Sequence, residues 1–224
     1  MTQKTLFITG ASTGIGAQTA RAAVAAGWSV GLFARSEEKL AALAEEFGDA
    51  GLALPGDATS LADQEKAMTA LADHFGGIDA AFANAGTGLD TPGILEGDPR
   101  EWQAMIDLNC MGVLYTARAG YPYLKASKGT LVLTGSAAGR NHISGSIYGA
   151  TKWFIHGLAG NLAGDMRSWG GRCSVIAPGM VDTPFFDEAK PDKLKSEDVA
   201  AAVLHAISAP DRAAVREIYL QPQF

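Results

Sequence analysis

The sequence predicts an α/β fold: a doubly wound, parallel, seven-stranded sheet with helices on both faces, three layers in all. Three observations predict it. Seven short apolar runs bounded by Gly, Asp or Pro recur along 224 residues, and several are apolar at consecutive positions. Strands buried on both faces of a parallel sheet read that way. Helical stripes fill the intervals, and strand–helix alternation calls for right-handed crossovers. A glycine-rich turn follows the first run directly.

In chain order, Leu6–Thr9 is the first strand. It runs into Thr9-Gly10-Ala11-Ser12-Thr13-Gly14-Ile15-Gly16, which opens a helix. Glycines let the backbone turn sharply and approach a pyrophosphate, which the helix N-terminus attracts through free N–H groups and its dipole. Gly10, Ser12, Thr13, Gly14, Ile15 and Gly16 are therefore candidates for holding a dinucleotide. The alternative, a tight strand–helix connection with no ligand, is disfavoured by its place in the first βα turn.

The second strand, Val30–Ala34, ends at Arg35-Ser36, with Glu37 and Glu38 one step too late. An acid at this point hydrogen-bonds the 2′-hydroxyl of NAD, whereas an Arg accommodates the 2′-phosphate of NADP. Arg35 offers a planar fork to phosphate and Ser36 adds a hydroxyl, so NADP(H) is expected ahead of NAD(H). A surface Arg beside a helix N-cap Ser is the other reading.

Leu40, Leu43 and Phe47 mark one buried helical stripe, and Met68, Leu71 and Phe75 another. The remaining strands are Leu52–Leu54, Ala80–Ala83, Leu131–Thr134, Ser174–Ala177 and Ile218–Leu220. Segments 100–123 and 148–169 are helical in composition, and a further helix starts near Ser196. The chain reads as one domain, 1–224, with no internal repeat and a short loop at 184–195.

Composition narrows the function. Hydrophobic residues at 47% and charged residues at 19% exclude a disordered chain. A net charge of −6 with scattered Lys and Arg argues against nucleic acid or an anionic membrane as partner. Cys110 and Cys173 show no CxxC spacing, and His74, His142, His156 and His205 show no metal-ligand spacing. Neither a disulfide framework nor a metal is expected, and a reducing cytoplasm fits. The opening apolar run is too short for a signal peptide, and nothing reaches the roughly 18–20 residues that span a bilayer.

Tyr148-Gly149-Ala150-Thr151-Lys152 sets a phenol and an ammonium four apart on one helical face. A Tyr hydroxyl, with a pKa of about 10, is a poor base at neutral pH. A nearby cation stabilises phenolate, so the pair can exchange a proton with an alcohol or carbonyl oxygen. Two residues on an amphipathic helix would look the same. Twelve residues earlier, Leu133-Thr134-Gly135-Ser136 ends a strand, where open α/β sheets bind ligands. Ser136 can hydrogen-bond a substrate oxygen there, or cap a turn.

With these pieces in this order, the chain resembles the compact, Rossmann-like branch of the short-chain dehydrogenase/reductase family over essentially its whole length. Asp57 in Gly56-Asp57-Ala58-Thr59 is similar to the family's adenine-contacting acid, with Ala58 beside it. Asn84-Ala85-Gly86 is similar to the turn after the fourth strand, although Ala83 replaces the Asn that often precedes it. Asn109 matches the helix Asn that anchors a relay water. Pro178-Gly179-Met180-Val181-Asp182-Thr183 resembles the segment that cradles the nicotinamide, through Pro178, Gly179, Val181 and Thr183. Structural alternatives stand beside each: an Asx turn for Asp57, a left-handed turn for Asn84, a buried polar group for Asn109 and a loop cap for Thr183.

The resemblance implies NADP(H)-dependent hydride transfer between the nicotinamide and a small carbonyl compound or secondary alcohol. Tyr148 would exchange the proton, Lys152 would lower its pKa and bind the nicotinamide ribose, Ser136 would orient the substrate, and Asn109 would hold water. A sensor that binds NAD(P)H without useful catalysis is the alternative, and turnover of carbonyl compounds discriminates the two. The C-terminal segment resembles the branch with 3-hydroxy acid and serine dehydrogenases, and Arg140 is the nearest cation for a carboxylate. His142 is expected in a packing or surface role, and Phe185 and Phe186 as a small apolar lid. Helices 100–123 and 148–169 carry apolar or small residues all round and are expected to be buried on both sides. Family members pair these helices, so a homodimer or homotetramer is expected.

Overall fold

The computed structural model describes residues 3–88, 93–185 and 188–223. Seven strands form one parallel sheet: β1 (Thr5–Thr9), β2 (Ser29–Ala34), β3 (Gly51–Pro55), β4 (Ala80–Ala83), β5 (Thr130–Thr134), β6 (Arg172–Pro178) and, after two short strands, β9 (Glu217–Leu220). Their order is β3-β2-β1-β4-β5-β6-β9. Each predicted apolar run lies inside one of them.

The runs are continuous because both faces are covered. Leu6 and Ile8 of β1 face one core layer, with Val30, Leu32 and Phe82, whereas Phe7 faces the other, with Phe33, Leu131 and Leu133. Period-2 alternation puts neighbours on opposite faces, so a strand clad on both sides has no polar register. The first layer is roofed by α1 (Gly14–Ala25), α2 (Glu37–Phe47) and α7 (Ser196–Ile207). The second is roofed by α3 (Leu61–Phe75), α5 (Val113–Ser127) and α6 (Ile147–Arg167). Burial of each large side chain stabilises the fold by about 1.5–3 kcal/mol.

The sheet winds outward in both directions from β1 and β4, which pair through Leu6–Ala80 and Ile8–Phe82. Connections leave these two strands toward opposite faces, and the crevice between them at their carboxyl ends is where such sheets bind ligands.

The segment expected as one helix over 100–123 is interrupted. It comprises α4 (Pro99–Ile106), a π-wound turn at Asp107–Gly112, and α5. Contact with the loop after β3 accounts for the interruption. A Cβ at Gly112 would stand 3.1 Å from the Ala58 carbonyl oxygen. Buried Gln64 donates to both the Ala58 and Gly112 carbonyls, at 2.8 and 3.1 Å, and accepts from Thr116 Oγ1 at 2.8 Å. A π turn shifts the helix phase by one residue, and such turns collect at functional sites.

The second expected helix is α6, but it is not buried on both sides within the chain. Ile155, Ala159, Ala163 and Met166 face the core, while Trp153 (42% exposed) and Phe154 (39%) face outward. Gly157, Gly160 and Gly164 on that helix have open space around them. Small residues where polar ones usually stand hid the amphipathic pattern. Residues 184–195 leave and return through the short strands β7 (Val181–Asp182) and β8 (Leu194–Lys195). Asp182 clasps the base of this excursion, accepting from Lys190 N at 2.8 Å and Lys195 Nζ at 2.9 Å. Among the described residues, no helix is long and apolar enough to cross a membrane.

Candidate active site

The glycine turn bends through left-handed backbone at Gly10 (φ 66°) and Gly14 (φ 53°), which side chains disfavour. At Gly16 a Cβ would lie 2.2 Å from the Gly10 carbonyl oxygen, so only glycine lets α1 start this close to β1. Thr13 is the N-cap of α1, yet its side chain makes no capping hydrogen bond, and the first turn carries no acid. The helix therefore presents free N–H groups and an uncompensated dipole, the arrangement that binds phosphate. A cleft of about 640 Å³ opens beside Ser12, Thr13 and Gly14, between α1, α2 and the Asp182 clasp.

Asn84, at the end of β4, holds this turn. Its Nδ2 donates to the Thr9 and Gly10 carbonyls at 3.1 and 3.3 Å, and its own N–H and that of Ala85 donate to Thr9 Oγ1 at 3.0 and 3.1 Å. Thr134 Oγ1 donates to Asn84 Oδ1 at 3.4 Å, bringing in β5. Asn84 is not in the left-handed region, so that alternative fails: among the described non-glycine residues only Lys128 has positive φ.

Arg35 is exposed at the tip of β2, beside the Asp57 carboxylate that its charge helps to keep ionised. Ser36 stands at the N-cap of α2 without a side-chain capping bond, so its hydroxyl is not committed to the helix. Asp57 does form the Asx turn: Oδ1 accepts from the Thr59 N–H and hydroxyl, both at 2.8 Å. The backbone bond from Thr59 is the main reason its pKa is lowered.

Across the crevice, α6 carries Tyr148 and Lys152. The Tyr148 phenol meets the Ser136 hydroxyl, and Ser136 Oγ also accepts from Ala138 N at 3.1 Å. Ser136 therefore both caps its turn and reaches the phenol. Lys152, 6% exposed, places Nζ 2.9 Å from the Thr134 carbonyl oxygen. A Cβ built at Gly86 would lie 3.8 Å from that Nζ, so the Asn84-Ala85-Gly86 turn runs directly past the ammonium.

The expected acidification of Tyr148 by Lys152 is opposed by burial. Burial raises the phenol pKa, and the Ser136 hydroxyl only partly offsets the rise. Lys152 Nζ lies 5.6 Å from the ring centroid, against its face, and is directed to Thr134 instead of the phenol oxygen. Desolvation lowers the Lys152 pKa to about 8, with Cys110 opposing the shift.

Asn109 lies within the π turn and is fully buried. Its Oδ1 accepts from Thr87 N at 2.9 Å, and its Nδ2 donates to Thr87 O at 2.9 Å and Thr151 Oγ1 at 3.2 Å. Its amide thereby joins the extension of β4 to α6. Pro178 closes β6, and Gly179 donates to the Leu220 carbonyl at 2.7 Å. Val181 is buried, and Thr183 lies against the glycine turn, where a Cβ at Gly14 would meet it at 3.5 Å. Phe185 N lies 3.4 Å from Thr183 Oγ1, a weak version of the loop cap.

Phe185 is 45% exposed and leans on the phenol ring, with centroids 5.9 Å apart. Phe186, the other residue of the expected lid, lies outside the described residues. His142 stacks on Trp153 at 5.0 Å, the packing role expected of it. Arg140 bonds Glu217 at 3.1 Å and lies over the Tyr219 ring, so it does not await a substrate carboxylate. Among the described residues no group of three His, Cys, Asp or Glu could hold a metal. Thr9, Thr87, Thr134 and Thr151 escaped sequence reasoning: they act through backbone groups or hydroxyls whose partners are distant in sequence.

The turn, the free helix N-terminus and the exposed cation at β2 fit a dinucleotide phosphate chain. Comparison with known proteins agrees. The short chain dehydrogenase family model matches residues 4–194. The chain is 33% identical over 227 residues to an uncharacterized oxidoreductase of Staphylococcus epidermidis, covering 98% of this chain and 97% of that one. Its structure is similar to an alcohol dehydrogenase from the archaeon Thermococcus sibiricus complexed with 5-hydroxy-NADP (TM-score 0.91, 28% identity, 99% and 97% coverage). It is also similar to the closed form of a serine dehydrogenase complexed with NADP+ (TM-score 0.90, 27% identity, 97% and 94% coverage).

The depressed Lys152 pKa makes a stability prediction. Between pH 8 and 10.5 an unfolded lysine still binds the proton that folded Lys152 has released, so the folded state gains stability as pH rises through that window. The gain is about 3 kcal/mol. Cys173, whose buried thiol is pushed up to about 12, works the other way in this range. Urea unfolding of the cofactor-free protein across it should therefore show wild type gaining about 3 kcal/mol relative to Lys152→Met. Parallel pH dependences would contradict the burial argument.

Proposed function

Because the chain belongs to the short chain dehydrogenase family and is an oxidoreductase of that family, we propose that it transfers a hydride between NADP(H) and a small carbonyl compound or its secondary alcohol. One observation carries this reading: the Tyr148 phenol faces the Ser136 hydroxyl, one helical turn from buried Lys152, beside the glycine turn at the sheet's switch point.

Gly10, Ser12, Thr13, Gly14, Ile15 and Gly16 hold the pyrophosphate. Asp57 and Ala58 meet the adenine, and Asn84, Ala85 and Gly86 line the nicotinamide side, closed by Pro178, Gly179, Val181 and Thr183. When bound, the nicotinamide supplies or takes the hydride. Tyr148 Oη gives its proton to the carbonyl oxygen in reduction, and a phenol kept protonated by burial is in the state that step needs. Ser136 Oγ donates to the same oxygen as charge develops there. Lys152 holds the ribose hydroxyls and supplies positive charge to the phenolate left behind. Asn109 fixes α6 against the strand-four turn, so that Tyr148 and Lys152 stay in register with the cofactor. Phe185 covers the phenol ring and presents an apolar wall, which favours aromatic or aliphatic aldehydes and ketones over acids.

The two thiols, free and buried, suit a cytoplasmic setting. The outward faces of α5 and α6, with Trp153 and Phe154 exposed, pair two copies of the chain.

Tyr148→Phe should lower NADPH consumption with a panel of aromatic and aliphatic aldehydes and ketones by about 100-fold or more, since general acid catalysis contributes that much. NADPH binding should persist, and near-normal turnover would remove the assignment. Arg35→Leu should weaken NADPH binding by about 10- to 100-fold, the worth of a charge-assisted hydrogen bond, and leave NADH binding unchanged. Wild-type turnover with NADH equal to that with NADPH would refute the preference. Light scattering should report a dimer or tetramer, and a clean monomer would contradict the pairing of helices.

A further inference from the structure

Tyr148, Lys152 and His156 follow one another at four-residue steps on α6. The first two serve the reaction as read above, and the third is left over. His156 is 14% exposed and points behind the turn that carries Ser136. A Cβ at Gly135 would lie 2.7 Å from His156 Nε2, and one at Gly139 would lie 2.6 Å from His156 Cδ2. The imidazole therefore occupies a cradle that only glycine at both positions leaves open, and those glycines bracket Ser136-Ala137-Ala138.

The far side of the ring is held as well. His156 Nδ1 stands 3.5 Å from Glu217 Oε1 on the edge strand β9. Arg140, just beyond the turn, reaches the same oxygen at 3.1 Å and lies over the Tyr219 ring. His156, Arg140 and Glu217 thus link α6, the Ser136 turn and the edge of the sheet.

Two atoms in this cluster are buried without a well-formed hydrogen bond, His156 Nε2 and Glu217 Oε1. Such atoms are rare in native structures, and each calls for a reason. Burial lowers the His156 pKa, against the opposing pull of Glu217 and the Ser136 backbone, with Arg140 and Lys152 adding to the fall. The neutral ring has one N–H to share between the Glu217 carboxylate and the Ser136 main chain. An apolar side chain of equal volume would fill the cradle and hold neither.

We propose that His156 is a positioning residue for this reaction: it fixes the direction of the Ser136 hydroxyl by filling the Gly135–Gly139 cradle while Glu217 and Arg140 anchor its ring. The inference rests on the reading of Ser136 as the group that orients the substrate oxygen.

The test compares His156→Leu, which fills the space, with His156→Gln, which keeps an amide donor. Both are assayed by NADPH consumption with the carbonyl panel, alone and in a Ser136→Ala background. A misplaced hydrogen-bond donor lowers the chemical step and not cofactor binding, so His156→Leu should lower kcat by about tenfold with the KM for NADPH within about twofold. His156→Gln should recover at least about half of the lost rate by restoring a donor. In the Ser136→Ala background His156→Leu should cause no further loss, because residues acting through one another are non-additive. A kcat for His156→Leu within about twofold of wild type, or an undiminished loss in the Ser136→Ala background, would overturn the inference. Should His156→Leu fail to fold, Glu217→Gln releases the same anchor and is judged by the same two criteria. Normal turnover in Ser136→Ala, or none by wild type with any panel member, would overturn the underlying reading and this inference together. Impaired Ser136→Ala beside normal His156→Leu would overturn this inference alone.

Discussion

The fold buries the ammonium of Lys152 with, among the described residues, a single carbonyl oxygen, that of Thr134, as its hydrogen-bond acceptor. A buried cation with so little compensation is unfavourable, and its depressed pKa is the direct expression of that cost. Several contacts near it hold α6 against the sheet. Asn109 ties Thr151, next to Lys152, to the turn after β4. Gly139 packs against the Lys152 carbonyl, where a Cβ would stand at 2.7 Å. Ile155 and Ala159 on the same helix are sealed in the core. Such an arrangement gives up stability to hold a cation in a buried place, where its electrostatic effects are strongest.

The opposite wall of the crevice is held without any charge. Asn84 and Thr9 satisfy one another's main chains across the β1–β4 pair, so the glycine turn is set by neutral hydrogen bonds. The N-terminus of α1 adds positive potential there, since neither a capping side chain nor a first-turn acid competes for it. The two walls differ in kind: a helix dipole at one end, and a discrete buried cation at the other. The sheet brings them together only because its order reverses between β1 and β4.

Much of this was legible in the sequence. Consecutive apolar residues in Leu6–Thr9 or Leu131–Thr134 mean a strand clad on both sides, and all seven such runs are strands. What could not be read depended on contacts between distant segments. The π turn at Asp107–Gly112 arises from the approach of the Ala58 carbonyl, more than 50 residues away, and nothing in the local pattern distinguishes it from regular helix. The phenol pKa is set by burial and by where the Lys152 ammonium points, whereas four-residue spacing fixes only which helical face the two share. Arg140 could be read as a candidate carboxylate partner, but its commitment to Glu217 required knowing that β9 is the neighbour of β6.

That last adjacency bears on why the site is built as it is. Ser136 lies two residues past the end of β5, and a strand end is held on only two sides by its neighbours. On one side, Gly135 N donates to the β6 carbonyl of Ile176 at 2.8 Å, continuing the ladder one residue past the strand. On the other, the Thr134 carbonyl and hydroxyl are taken by Lys152 and Asn84. Beyond that point the chain must leave the sheet, and Ser136 is the first residue free of the ladder. A turn of Gly and Ala has few side chains of its own with which to hold the hydroxyl in one direction. The turn has to be gripped from outside. The elements that reach it are β6, through Val175, and α6, through His156, whose ring Glu217 of the edge strand β9 meets on its far side. The turn after β5 is thus tied through His156 and Arg140 to Glu217 at the edge of the sheet, far in sequence from the phenol it faces.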